Sequence, residues 1–274
     1  MATKKRLDIL LVEQGFFESR NKARGAIMAG QVLVNGQMVD KAGTLYSEEA
    51  RIELKGENLL YVSRGGLKLE KALEVFSVDP AGKEAMDIGA STGGFTDCLL
   101  QKGAKKVYAI DVGYGQLDWR LRQDERVVVL ERTNFRYLTP EQLPVKVSLI
   151  VTDVSFISLR LIIPPALAFL TAKGDIIALI KPQFEAGPER VGKNGIVRDR
   201  EVHEDVLREM LDFFLDLGLY INGLDYSPIT GASSGNIEFL VHLSNYKVDE
   251  IDSQFWYRRI PEIVAEAHDA LEGG

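Results

Sequence analysis

The chain has 274 residues, 46 % of them apolar, and carries 33 Lys and Arg against 40 Asp and Glu for a net charge of −7. This is enough apolar material for one large domain, or a large and a small one, and it argues against simple electrostatic coating of nucleic acid. The lone cysteine, Cys98, excludes an internal disulfide framework, and with three His it offers no metal-ligand spacing, so no metal is expected.

No apolar signal-like run follows the opening Met-Ala-Thr-Lys-Lys-Arg. The most apolar stretch, Val154 to Ala172, is interrupted by Arg160, Pro164 and Pro165. A membrane-spanning helix is not expected, and a cytoplasmic address fits. Charge is uneven: residues 1–46 hold seven Lys and Arg against four Asp and Glu, and the remainder holds 26 against 36. A slightly basic head precedes an acidic body.

In the head, residues 5–17 place Leu7, Leu10, Leu11 and then Phe16 or Phe17 on one helical face, with Gly15 as the helix end. Ser19 is suited to cap a second helix running to Gly30, with Ala23, Ala26 and Ile27 inward and Arg20, Lys22 and Arg24 outward. Two short apolar runs joined by Asn35-Gly36 then predict a tight hairpin. Taken alone, the three cations read as a solvated helix face or as an RNA contact. The whole pattern, ending in V-x-V-N-G, resembles the S4 RNA-binding domain over most of residues 5–56. Gly30, Val32, Val34, Asn35 and Gly36 carry the match. The resemblance implies that Arg20, Lys22, Arg24 and Asn35 face structured RNA, read by shape and phosphate contacts.

From about Gly82 the chain alternates strand-like runs (A-M-D-I-G, V-Y-A-I-D-V, V-V-V-L-E, S-L-I-V-T-D-V, D-I-I-A-L-I-K and N-I-E-F-L-V-H-L) with segments predicted helical at 94–103, 115–123, 159–172 and 201–217. The expected fold is a doubly wound, Rossmann-like α/β domain, whose ligands bind at the carboxyl edge of the strands. Cys98 is expected in its core. The stretch from Ser253, with Trp256, Tyr257, Ile260 and Ile263, is expected to pack there as a helix.

The first strand-to-helix turn reads D-I-G-A-S-T-G-G-F-T-D over residues 87–97. Gly89, Gly93 and Gly94 permit a tight turn and close approach of a ligand, although the spacing is not G-x-G-x-x-G. Asp111 ends the second strand, where it serves as a strand-end cap or receives ribose hydroxyls. A nicotinamide cofactor and S-adenosylmethionine both satisfy this much. Asp153 and Lys181 end the fourth and fifth strands, Glu238 lies in the last, and Lys68 precedes the sheet in V-S-R-G-G-L-K-L. Lysines at the ends of apolar strands are costly to bury unpaired, so the two carboxylates are natural partners.

The order Lys, Asp, Lys, Glu around this turn resembles the FtsJ-like ribose 2′-O-methyltransferases. With the S4-like head, T-D-V-S-F-I-S-L and I-K-P-Q-F-E-A-G, nearly the whole chain resembles the TlyA (hemolysin A) family. The resemblance implies an S-adenosylmethionine-dependent methyltransferase of cytidine ribose in ribosomal RNA, with ribosomal RNA or ribosomal subunits as partners. It divides the chain into an S4-like domain (1–60), a linker and lead-in helix with Lys68 (61–81), and a methyltransferase domain (82–274). Lys68, Asp153, Lys181 and Glu238 become the catalytic tetrad, with Lys181 beside the attacking hydroxyl, Asp153 orienting it and Lys68 with Glu238 as the balancing pair. Asp87, Gly89, Ala90, Ser91, Gly93, Gly94, Phe95, Asp111 and Asn134 become the cofactor set, and Arg64, Arg190 and Lys193 further RNA contacts. Loop 183–200 reads as an RNA-gripping lid or as a surface loop with no partner.

Competing classes are less well served. A nicotinamide-dependent reductase leaves both lysines and the head unexplained, Cys98 is misplaced for cysteine-mediated base methylation, and D-V-S-F replaces the N-P-P-Y of adenine amino-methylation. A membrane-active cytolysin lacks an apolar span. A ribosome-binding module without catalysis has no reason to keep all four tetrad residues.

Overall fold

The computed structural model describes residues 4–14, 16–17, 19–28, 30–47, 50, 52–54, 60–231, 235–247 and 253–272. They belong to two compact units, residues 1–59 and 60–274.

The first unit contains β1 (Lys4–Arg6), α1 (Leu7–Glu13), α2 (Arg20–Met28), β2 (Val32–Val34), β3 (Gln37–Val39), β4 (Leu45–Ser47) and β5 (Ile52–Leu54). Leu7, Leu10 and Leu11 of α1 meet Ala23, Ala26 and Ile27 of α2 in a small core closed by Val32, Val34 and Val39. Asn35 and Gly36 both take positive φ (53° and 78°), as the β2–β3 hairpin requires. The first helix starts later than its periodicity predicts, because Lys4–Arg6 pairs antiparallel with β4. Gly15, its expected end, lies outside the described residues.

The second unit holds α3 (Gly65–Val75), β6 (Glu84–Ile88), α4 (Gly94–Gln101), β7 (Lys106–Ile110), α5 (Trp119–Gln123), β8 (Val127–Leu130), β9 (Val147–Thr152), α6 (Ile163–Leu167), β10 (Leu170–Ile180), α7 (Pro182–Glu185), α8 (Arg200–Asp216), β11 (Tyr220–Tyr226), β12 (Phe239–Ser244) and α9 (Ser253–Glu272). Seven strands form one sheet in the order β11-β12-β10-β9-β6-β7-β8. The run β10-β9-β6-β7-β8 is parallel, whereas β12 is antiparallel to both its neighbours. Apolar side chains cover both faces. Met86, Ile150, Ile176 and Val241 share one cluster with α8 and α9, and Ala85, Leu149, Ile177 and Leu240 share the other with α3 and α4. Cys98 is fully buried in the second cluster, and its thiol is pushed up to about 12 by that burial.

Three elements differ from the sequence reading. β11 was not foreseen: its polar Asn222, Gly223 and Asp225 break the alternation, and it exists by pairing with β12. Segment 159–172 is not one helix, since a single 3-10 turn and the short α6 give way at Leu170 to β10. Segment 115–123 is helical only from Trp119. Residues 61–81 sit inside the second unit, where Leu69, Ala72 and Leu73 of α3 pack with Leu99 of α4.

Candidate active site

Strand register gathers the site. Ile88 pairs with Ile110 and with Thr152, so the residues that follow each strand, Gly89, Asp111 and Asp153, emerge at one edge of the sheet. Ile180 of β10 pairs with Phe239 of the antiparallel β12. Lys181, just after one strand, and Glu238, just before the other, therefore leave the sheet at that same edge. Only an antiparallel strand delivers its first residues there. Lys68 comes from α3, which is held by bonds from Lys71 to Asp225 Oδ1 and the Tyr226 carbonyl, and by Val62 N–H donating to Asp97 Oδ2 just upstream.

The four side chains close a ring of alternating charge. Lys68 Nζ lies 2.5 Å from Glu238 Oε2 and 3.3 Å from Asp153 Oδ2, while Lys181 Nζ lies 2.6 Å from Asp153 Oδ1 and 3.9 Å from Glu238 Oε1. Lys68, Lys181 and Glu238 are buried and Asp153 is half-buried. The ring is neutral in sum, which is what allows two lysines to leave water. Burial works to lower the Lys68 pKa, but Asp153 and Glu238 outweigh it and hold the ammonium above the usual lysine range. Burial likewise pushes Asp153 up, and Lys68 and Lys181 pull it below the ordinary carboxylate value. Lys181 Nζ also donates to Ser155 Oγ at 3.0 Å.

The ring forms part of the wall of a cavity of about 760 Å³. The glycine turn forms another part, and two of its glycines are required. Gly89 has φ 83° and its missing Cβ would stand 2.9 Å from Val154; at Gly94 a Cβ would stand 2.2 Å from Ser63 Oγ and 2.9 Å from the Gly66 nitrogen. The backbone is thus packed against its neighbours on one side and open to the cavity on the other.

Asp87 lies beneath the turn, 1 % exposed, accepting from Thr96 Oγ1 at 2.7 Å through one oxygen; Oδ1 has no hydrogen-bond partner. Burial above all pushes its carboxyl up to about 7, opposed by the Thr96 bonds and reinforced by the charges of Asp153 and Asp111.

Of the residues singled out in sequence, Arg64, Lys68, Asp87, Gly89, Ala90, Ser91, Gly94, Phe95, Asp153, Lys181 and Glu238 line this cavity. Gly93, Asp111, Asn134, Arg190 and Lys193 do not. Asp111 supports the turn from behind, its two oxygens accepting from Ser91 N–H and Gly113 N–H at 2.8 and 2.7 Å. Asn134 accepts from Arg136 N–H and caps a 3-10 turn at Phe135–Tyr137. Arg190 turns to α8, ion-paired with Glu209 at 2.9 Å and donating to the Ala186 carbonyl, whereas Lys193 is exposed. Loop 183–200 is structured by α7 and two 3-10 turns, and the buried Asn236 tethers it through Gly195 and Val197.

In the first unit, Arg24 and Asn35 are exposed, but Arg20 donates to the buried Asp8 at 2.9 Å, as does Arg6, and these contacts hold the Asp8 carboxyl down at about 2. Sequence reading missed Asp8. It also missed Ser155, the Phe156–Phe184 pair (ring centroids 5.4 Å apart, both lining the cavity, Phe156 exposed and with φ 63°), and the Ile229–Gly231 segment of the cavity wall. T-D-V-S-F advertised Ser155 and Phe156 by adjacency to Asp153, and I-K-P-Q-F placed Phe184 just after Lys181. The last depended on β11.

Among the described residues, no cluster of three His, Cys, Asp or Glu could hold a metal ion, and no helix is long and apolar enough to cross a membrane.

A mostly parallel sheet with a glycine-turn cavity at its carboxyl edge, beside a ring of four charged side chains, defines a Rossmann-like α/β domain. Family models agree with the two units: FtsJ-like methyltransferase matches residues 61–245 and S4 domain matches residues 5–52. A Bacillus subtilis protein named as a candidate rRNA methyltransferase, YqxC, is 54 % identical over 270 residues, 98 % of this chain and 96 % of its own. The Mycobacterium tuberculosis 16S/23S rRNA (cytidine-2′-O)-methyltransferase TlyA is 43 % identical over 244 residues, 89 % of this chain and 91 % of its own. A solved Streptococcus thermophilus structure described as a candidate hemolysin matches with TM-score 0.77 at 48 % identity, over 100 % of this chain and 98 % of its own. The chain belongs to the FtsJ-like methyltransferase family, in its S4-bearing TlyA (hemolysin A) branch.

Proposed function

We propose that the protein methylates the 2′-hydroxyl of a cytidine ribose in ribosomal RNA, using S-adenosylmethionine, and acts in the cytoplasm. The observation that carries this reading is the closed Lys68–Asp153–Lys181–Glu238 ring on the wall of the glycine-turn cavity. Residues 1–60 supply RNA affinity, residues 61–81 deliver Lys68, and residues 82–274 carry the chemistry.

The cavity suits the cofactor on two counts: backbone at Gly89 and Gly94 that no side chain can cover, and a buried carboxyl oxygen of Asp87 awaiting a partner. When bound, S-adenosylmethionine supplies a methyl group on a sulfonium whose sulfur leaves as a neutral thioether. Asp87, Gly89, Ala90, Ser91, Gly94 and Phe95 would hold it, with Gly93, Asp111 and Asn134 shaping the turn and the adjoining loop. Lys181 has Asp153 on one side and Ser155 on another, which fixes Nζ in place. As the free amine, its own proton given up to solvent before the step, it would receive the 2′-hydroxyl on its nitrogen lone pair and take that proton while the ribose oxygen accepts the methyl group. Asp153 orients Lys181, Lys68 with Glu238 is the ion pair that stays charged throughout, and the ring, one negative charge in excess while Lys181 is an amine, returns to neutrality when Lys181 takes the proton. Arg24, Lys22 and Asn35 in the first unit and Arg64 at the cavity are the RNA contacts we favour.

Mass-spectrometric mapping of ribose methylation on ribosomal RNA from cells with and without the protein tests this. A 2′-O-methylcytidine present only with the protein is the expected result; identical maps, or a difference on a base, would refute it.

A further inference from the structure

Lys181 is the member of the ring with an unfinished coordination. An amine nitrogen has three directions besides its bond to Cε. One faces Asp153 Oδ1 at 2.6 Å, one is used in donating to Ser155 Oγ at 3.0 Å, and the nearest further carboxylate oxygen, Glu238 Oε1, stands off at 3.9 Å. Lys68, by contrast, is committed to two carboxylates at 2.5 and 3.3 Å.

Ser155 is unfinished in the complementary sense. Its oxygen accepts from Lys181, yet its own proton is donated to no residue among those described. The side chain is exposed and lines the cavity. Nothing structural consumes that donor. A hydroxyl that accepts from an amine is polarised into a stronger donor, so the two groups reinforce one another toward a shared acceptor.

We propose that Ser155 is a further catalytic residue, whose hydroxyl donates to the attacking 2′-oxygen while Lys181 receives that oxygen's proton. The inference rests on the ribose-methylation reading. The nucleophile then lies between two groups 3.0 Å apart, one taking its proton and one stabilising the negative charge that develops as the proton leaves. Lys181 enters the step as the amine: the proton passes from the 2′-oxygen to the Nζ lone pair, the oxygen gains the methyl while the donor's sulfur keeps the electron pair of the bond that breaks, and Ser155 keeps its own proton throughout. Ser155 is thereby distinguished from Asp153, which touches Lys181 and not the substrate.

The test uses the full chain as Ser155→Ala and Ser155→Thr, with single-turnover methyl transfer to ribosomal subunits from cells lacking the protein. Calorimetric affinity for S-adenosylmethionine and RNA affinity by filter binding are measured alongside. Because Ser155 is exposed, neither change removes core packing. The expected result is a fall of about 10- to 100-fold in the alanine variant's transfer rate, the usual scale for one hydrogen bond to developing charge. Both affinities should stay within about twofold, and threonine, which retains the hydroxyl, should recover most of the rate. An alanine variant as fast as the wild type overturns the proposal, as does a threonine variant as slow as alanine. Wild type that transfers no methyl to any ribose overturns the functional reading and this inference together; wild-type transfer unaffected by Ser155→Ala overturns this inference alone.

Discussion

Replacing Asp87 by Asn should stabilise the protein above neutral pH, and the size of the effect follows from the burial of this one carboxyl. In the unfolded chain an aspartate titrates near 3.8; in the folded protein burial pushes Asp87 up to about 7. Between those values the folded state holds a proton that the unfolded state has lost. Stability therefore falls as pH rises through this window, the opposite of a salt-bridged aspartate. Each unit is worth about 1.4 kcal/mol, so the full shift of about three units sets a ceiling near 4 kcal/mol. Asn has the same shape, keeps a carbonyl oxygen for the Thr96 hydroxyl and has nothing to ionise.

The gap between variant and wild type should widen in the variant's favour by about 2–3 kcal/mol from pH 5 to pH 7, and level off above the folded value. Urea unfolding followed by tryptophan fluorescence suits the measurement, because both tryptophans, Trp119 and Trp256, lie within residues 60–274. Shared contributions from Glu185, raised chiefly by burial, or Asp175, lowered chiefly by its hydrogen bond to His242 against burial, cancel in the difference. A gap constant across that range would show that Asp87 ionises normally in the folded state and that its buried oxygen is compensated by something other than a proton.

Lys181→Ala should reduce single-turnover methyl transfer by at least about 10²–10⁴ with cofactor affinity nearly unchanged; near-normal transfer would make the lysine a structural ion-pair partner only. Asp111→Ala should weaken S-adenosylmethionine binding about ten- to a hundredfold by calorimetry, here through loss of the two backbone bonds that support the Ser91 turn, and unchanged affinity would dismiss that role. Arg24→Ala should weaken RNA binding and flatten its salt slope by about 0.7–0.9, while Arg20→Ala should instead lower the melting temperature, since it strips a partner from the buried Asp8; equal melting of the two variants would contradict the assignment. Gly94→Ala should disrupt the turn and lower stability, because its methyl would meet the Gly66 backbone at 2.9 Å; a variant as stable and as tight for cofactor as wild type would show that the turn can shift.

Much of the candidate site's edge was legible in the sequence because strand chemistry is local. An apolar run ending in Asp or Lys marks where a parallel strand stops, and parallel strands all stop on the same side, so Asp153 and Lys181 could be placed together from their own neighbourhoods. The helices of the first unit and the Asn35-Gly36 hairpin were legible for the same reason: periodicity and turn chemistry are properties of a few consecutive residues.

What tertiary structure decided was everything that depends on a distant partner. Glu238 reads as a charge inside an apolar strand; only the antiparallel pairing of β12 with β10 puts it just before the strand and opposite Lys181. β11 has too many polar positions to declare itself, and it is a strand because β12 supplies its hydrogen bonds and α9 lies against it. Arg20 carries every local mark of a surface RNA contact, yet Asp8, twelve residues away, claims it. The sequence determined which charges the protein would carry to the edge of its sheet. The fold alone decided which were neutralised there, because the energy of a buried charge depends on distances through space that residue spacing along the chain does not contain.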